Sequence, residues 1–184
     1  RYAAVWTGDN VADDAHMLAD VRLVNSMGLS GVGFAGCDIG GFAGDADSRL
    51  FARWIAVGMF FPFARCHSAI NSRAAEPWAF GEAVEAVARN SIKLRYKLLP
   101  YVYDMAFENH RTGKPLMQPL FFDEPGNRRL MTYDSAYLWG ESMLISPIKQ
   151  PEVKEQKFYL PEGTHWIDFY TGKSYKGGQD ITVP

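Results

Sequence analysis

Three short segments combine residue types that can do chemistry. Trp6-Thr7-Gly8-Asp9-Asn10 sets a carboxylate in a glycine turn beside an indole. Gly36-Cys37-Asp38-Ile39-Gly40-Gly41-Phe42 sets a second carboxylate just before paired glycines, and Phe63-Ala64-Arg65-Cys66-His67 brings a guanidinium and an imidazole close together. A carboxylate can give or take a proton, and the three polar groups together can exchange hydrogen bonds with a polar ligand. Each segment also has a structural reading. Gly-Asp-Asn is an ordinary turn, Asp-Ile-Gly-Gly an ordinary loop entry, and a single histidine is most often a structural or surface residue. The residues form no metal-ligand cluster, so neither a metal nor an organic cofactor is expected. Cys37 and Cys66 are too few for a disulfide framework or a four-ligand zinc site and read as buried structural thiols, although one bridge between them stays open.

These segments are positioned by an alternation of apolar runs and helical periods. A strand-like run from Arg1 ends at Trp6. A helix is predicted from about Asp13 to Met27, with Asp13 and Asp14 at its start, apolar Met17, Leu18, Val21, Val24 and Met27 on one face, and Gly28 at its stop. The run Gly31-Val-Gly-Phe34 follows, then a helix from about Ser48 to Val57 that turns Leu50, Phe51, Trp54 and Ile55 inward, then the run Met59 to Phe63. Pro62 permits the edge or end of a strand there. Trp54, Phe60, Phe61 and Phe63 read as core. Three strand–loop–helix units argue for parallel strands covered by helices, an α/β layer or barrel, in which chemistry sits at the carboxyl ends of the strands. All three polar segments fall at such ends.

A long helix is predicted from about Phe80 to Arg111, kinked or divided at Pro100. After Gly113 the texture changes to β runs at Leu116 to Phe122, Ser142 to Pro147, Lys157 to Leu160 and His165 to Tyr170, separated by glycine- and proline-rich turns. Asp180 to Pro184 is again strand-like. Residues 1–113 therefore read as an α/β unit and residues 114–184 as an incomplete all-β domain.

At 184 residues, 47% hydrophobic, the chain can bury a sizeable core. Nineteen basic residues against 21 acidic ones leave no field that would recruit nucleic acid or an anionic membrane, so neither is expected as a partner and a neutral ligand is more natural. No apolar run approaches the ~20 residues of a membrane span. The chain opens on Arg1 without an initiator methionine and reads as part of a longer protein.

In order and spacing, the three polar segments resemble the second half of the catalytic barrel of glycoside hydrolase family 31, which includes α-glucosidases and α-xylosidases. Leu94-Arg-Tyr-Lys-Leu-Leu-Pro100-Tyr, Pro119-Leu-Phe-Phe-Asp123, Gly140-Glu-Ser-Met-Leu144 and Tyr159-Leu-Pro-Glu-Gly163 are similar to later parts of the same family. The resemblance implies the carboxyl-terminal portion of a (β/α)8 barrel followed by a β-sandwich domain. It also implies a retaining hydrolase that removes α-linked glucose from the non-reducing ends of oligosaccharides, with Asp9 as general acid/base. Trp6, Asp38, Phe42, Arg65 and His67 would contact the sugar, the aromatic rings lining its C–H faces. The nucleophile has no matching motif among these residues, so it is expected in an amino-terminal remainder of the same protein, and the 184 residues by themselves are expected to be inactive. Other activities of the family, α-xylosidase, α-galactosidase or transglucosidase, and a catalytically silent sugar-binding relative, remain as alternatives.

Overall fold

The structure, a computed structural model, describes residues 3–184, so the Arg1–Tyr2 start of the first expected strand lies outside the described residues. Three strands, β1 (Val5–Trp6), β2 (Ala35–Ile39) and β3 (Phe63–Cys66), form a parallel sheet in that order, linked by helices α1 (Asp14–Leu29) and α2 (Ser48–Gly58). This is the strand–helix alternation of a partial barrel. In-register pairing places Trp6 beside Gly36 and Gly36 beside Phe63, and two residues on it places Asp38 beside Arg65. Because side chains alternate across a strand, Cys37 and Ile39 take the opposite face. There they are fully buried against α2, where Trp54 Nε1 donates to Cys37 Sγ at 3.4 Å and a side chain at Gly58 would come within 2.7 Å of Ile39 Cγ1.

The strands lie further along the chain than the apolar runs suggest. β2 begins at Ala35 rather than Gly31 and β3 at Phe63 rather than Met59. Met59, Phe60 and Phe61 instead finish α2, their amides donating to Ile55, Val57 and Gly58. Asp38 and Arg65 therefore sit inside strands, and they hid those strands because charged residues are unusual there unless paired. Phe63, expected in the core, is only half-buried and shares the face of Asp38 and Arg65.

Asp13 caps α1 by accepting from the His16 amide at 2.7 Å. The helix does not stop at Gly28 but runs to Leu29. Gly28 is buried against the following domain, and a side chain there would come within 2.9 Å of Pro115 Cβ, so its glycine serves a close approach rather than a cap. The predicted long helix is two helices, α3 (Glu82–Lys97) and α4 (Leu99–Thr112), broken at Leu98. Pro100 falls in the first turn of α4, where its missing N–H costs nothing. Gly113 closes α4 in the left-handed conformation, φ +80°.

The break leaves Arg95 in the last turn of α3, donating to the carbonyls of Met59, Phe61 (2.8 Å) and Pro62 (2.8 Å). One guanidinium thus ties the end of α2 to the start of β3. Burial lowers its proton affinity slightly, while the nearby Tyr137 opposes this. Replacing Arg95 by alanine leaves three carbonyls of a partly buried turn without their donor and is expected to cost about 3 kcal/mol of stability. Chemical denaturation of the full-length protein measures this; a change within the error of the wild-type midpoint would show that water replaces the guanidinium.

Beyond Gly113 the chain forms antiparallel sheets. β4 (Met117–Pro119), β5 (Tyr137–Trp139) and β6 (Met143–Ile145) make one, β7 (Gln156–Leu160) pairs with β10 (Gln179–Val183), and β8 (His165–Ile167) pairs with β9 (Ser174–Lys176). Strand β5 has no counterpart among the predicted runs because it is buried on both faces and shows no polar alternation. Tyr137 and Trp139 face the helical layer, while Leu138 joins a second core with Leu120, Leu130 and Tyr159. Tyr137 donates to Phe60 O at 3.2 Å and Tyr101 to Trp139 O at 2.8 Å, giving the buried aromatic layer polar anchors. No helix among the described residues is long and apolar enough to cross a membrane.

Candidate active site

Asp38 and Arg65 meet at the carboxyl end of the parallel sheet as register neighbours. Asp38 Oδ1 accepts from both Nε (3.2 Å) and Nη2 of Arg65, and the carboxylate is fully buried. The guanidinium is about a third exposed and lies 5.4 Å from the Trp6 ring centroid and 5.8 Å from that of Phe63. Two aromatic faces and one carboxylate therefore fix its plane. Gly36 makes this possible: any side chain there would collide with the Phe63 carbonyl, so only glycine leaves room between Trp6 and Phe63. Asp38 Oδ2 is enclosed and has no hydrogen-bond partner among the described residues. A buried acceptor of this kind is costly unless a donor reaches it.

Asp9 stands apart from that pair. Its side chain is exposed, on a turn whose Gly8 has φ +90° and whose Asn10 amide donates to Gly8 O at 3.0 Å. Asn10 is buried and uses its whole amide: Nδ2 donates to Asp20 Oδ2 (2.7 Å) and to the Asp38 carbonyl (3.1 Å), and Oδ1 accepts from the Phe42 amide (2.8 Å). The Asn10 carbonyl accepts from the amides of Phe42 and Ala43, both at 3.0 Å. The loop after β1 is thereby fastened to the loop after β2. Gly41 permits the contact, since a side chain there would come within 2.6 Å of the Ala12 amide.

Phe42 also meets the third segment. Its ring centroid is 5.4 Å from that of His67, and its carbonyl accepts from the Ala69 amide at 2.7 Å. His67 is exposed beside a shallow depression lined by Ser68, Ile70 and Glu76. The structure thus brings Trp6, Asp38 and Arg65 into one cluster and Phe42 with His67 into another, with Asp9 on the turn that Asn10 fastens to α1 and to the loop after β2. Aromatic walls beside fixed polar groups suit a ring with an apolar face and a rim of hydroxyls.

Both cysteines are free thiols, which closes the question of a bridge between them. Burial pushes Cys66 up to about 11 and Cys37 well above the ordinary thiol value, so neither is a nucleophile at neutral pH. No cluster of three or more metal-ligating residues occurs among the described residues. Asn10 is legible in the sequence only as the end of the Trp6–Asn10 motif, and Asp20 has no place in the motifs. The signal for Asp20 was present: it is an acid on the face of α1 that buries Met17, Val21 and Val24.

Residues 1–105 match the TIM-barrel domain of glycosyl hydrolase family 31, and residues 113–184 match that family's C-terminal domain. Alpha-glucosidase 2 of Bacillus thermoamyloliquefaciens is 44% identical over 179 residues, covering 97% of this chain and 23% of that protein. Among solved structures, the Flavobacterium johnsoniae family 31 dextranase complexed with glucose superposes with a TM-score of 0.90 at 38% identity, covering 97% of this chain and 23% of its own. A soil-metagenome family 31 α-xylosidase complexed with xylose also gives 0.90, at 30% identity, with 96% and 30% covered. The chain spans about a quarter or less of the curated relatives it matches.

Proposed function

Because the chain belongs to glycosyl hydrolase family 31, we propose that the protein containing it removes terminal α-linked glucose from the non-reducing ends of oligosaccharides, with retention of configuration. The observation that carries this reading is the contrast between two carboxylates at one end of the sheet. Asp38 is buried and held by Arg65, whereas Asp9 is exposed on a braced turn. Different environments give carboxylates different tasks. Asp38, Arg65 and His67 bind sugar hydroxyls, with Trp6 and Phe42 against its C–H faces, and Asp9 meets the glycosidic oxygen.

Double displacement needs a second carboxylate about 5 to 5.5 Å from the first. That nucleophile comes from the part of the protein preceding this chain. It attacks the anomeric carbon while Asp9 protonates the departing oxygen; Asp9 then removes a proton from the water that releases the sugar. Gly113 marks the boundary between the barrel part and the β-domain, whose β5 braces α4 through Tyr101. The identity with α-glucosidase 2 favours a glucoside substrate.

Proton NMR of the complete enzyme acting on an aryl α-glucoside is expected to show α-glucose as the first-formed anomer. An aryl α-xyloside is expected to turn over more slowly. β-Glucose appearing first would exclude double displacement, and faster release from the xyloside would reassign the substrate to a pentoside. Sugar binding without hydrolysis of either would make the protein a silent relative.

A further inference from the structure

Asp20 is a carboxylate inside the helix–sheet interface, 2% exposed, on the face of α1 that otherwise buries Met17, Val21 and Val24. Each of its oxygens receives a hydrogen bond: Oδ1 from the Thr7 hydroxyl and Oδ2 from Asn10 Nδ2, both at 2.7 Å. The two donors flank Asp9 in the chain. Thr7 is also anchored from the other side, its amide donating to Gly36 O at 3.0 Å, and Asn10 reaches the Asp38 carbonyl and the Phe42 amide. Asp9 itself projects from a glycine turn in which Gly8 takes φ +90° and a side chain added there would meet nothing within 4 Å, so the turn is tied to the rest of the fold through Thr7 and Asn10.

We infer that Asp20 is a positioning residue that clamps the Thr7–Asn10 turn from beneath and so sets where the Asp9 carboxyl meets the glycosidic oxygen. An ionised group in a helix–sheet core carries a desolvation penalty, which holds the Asp20 carboxyl above the usual carboxylate range, although the bonds from Thr7 and Asn10 oppose that shift. An apolar residue would fill the space without that penalty. What it would not do is accept two bonds converging from either side of Asp9. A displacement of the acid by about 1 Å can cost as much as a hundredfold in rate. This inference rests on the reading of Asp9 as the general acid/base.

The test uses the complete enzyme with three variants, Asp20→Ala, Asp20→Asn and Asp9→Ala, each assayed on maltose and on α-glucosyl fluoride. Maltose needs a proton on its leaving oxygen, and fluoride departs without one. Asp20→Ala is expected to lose about ten- to hundredfold in kcat/KM on maltose. Its first-turnover release of fluoride should stay near wild type, and azide should raise its steady rate, as for Asp9→Ala but with smaller amplitude. Asp20→Asn keeps an acceptor for Asn10 Nδ2, and its own amide can donate to the Thr7 hydroxyl, so it should recover most of the maltose activity. Equal losses on both substrates, or no loss on maltose, would overturn the clamp. If Asp9→Ala shows the leaving-group pattern and Asp20→Ala does not, only the clamp falls; if Asp9→Ala lacks the pattern, the acid/base reading falls first. Should Asp20→Ala fail to fold, Thr7→Val removes one arm of the clamp from the loop side and must show the same split.

Discussion

Replacing Asp9 by alanine in the complete enzyme is expected to lower hydrolysis of unactivated disaccharides by about 10²- to 10⁴-fold, the usual contribution of a positioned general acid. A sugar alkoxide is a poor leaving group, so without a proton it does not depart. α-Glucosyl fluoride behaves differently, because fluoride leaves unprotonated and the nucleophile can still form the glycosyl-enzyme. Its second step then slows, since no base activates water, and the intermediate accumulates. Azide attacks without needing a base, so it should restore turnover and yield a glucosyl azide in place of glucose. The exposure of Asp9 fits this role, as the carboxyl must reach both a departing oxygen and an entering water. A loss that is equal for disaccharide and fluoride, with no response to azide, would return Gly8-Asp9-Asn10 to an ordinary turn.

Asp38 is expected to show two separable effects. Asp38→Ala removes the carboxylate that fixes Arg65 and the only enclosed acceptor, Oδ2, that stands without a partner in this cluster among the described residues. Loss of the acceptor proposed to bind the sugar should lower kcat/KM on α-glucosides by about thirtyfold, or about 2 kcal/mol of transition-state stabilisation. The orphaned guanidinium should lower stability too. Breaking a buried pair by removing one partner costs roughly 3–5 kcal/mol, but Arg65 is about a third exposed and water recovers part of that, so about 2 kcal/mol is expected. Asp38→Asn separates the effects. Its Oδ1 still accepts from Arg65, while a donor replaces the acceptor at Oδ2. Stability should therefore return towards wild type and kcat/KM should not. Full recovery of kcat/KM in the asparagine variant would mean that Asp38 acts only through Arg65.

The split between legible and hidden features follows the range of the interactions involved. Helix α1 could be read from Met17, Val21 and Val24 and from its Asp13 cap, and α2 from Leu50, Phe51, Trp54 and Ile55, because period and caps are local. The change to β texture after Gly113 is local for the same reason. Motif residues could be read too, since Asp9, Asp38, Arg65 and His67 keep their order and spacing whatever the fold does with them. Strand limits were misplaced because a strand carrying Asp38 and another carrying Arg65 look like loops until they are seen side by side.

By itself, then, the sequence determined the family, the strand–helix alternation, the later β-domain and the polar motifs proposed to form the site, all of which are carried by neighbours along the chain. Only the tertiary structure decided that Asp38 and Arg65, 27 positions apart, are register partners, that Arg95 holds the entry to β3, and that Asp20 reaches Thr7 and Asn10 on both sides of Asp9. Each of these depends on strand register and on the angle at which a helix crosses the sheet. A one-residue slip of β2 or β3 would turn Asp38 or Arg65 to the opposite face, and no local pattern of polarity records which register is taken.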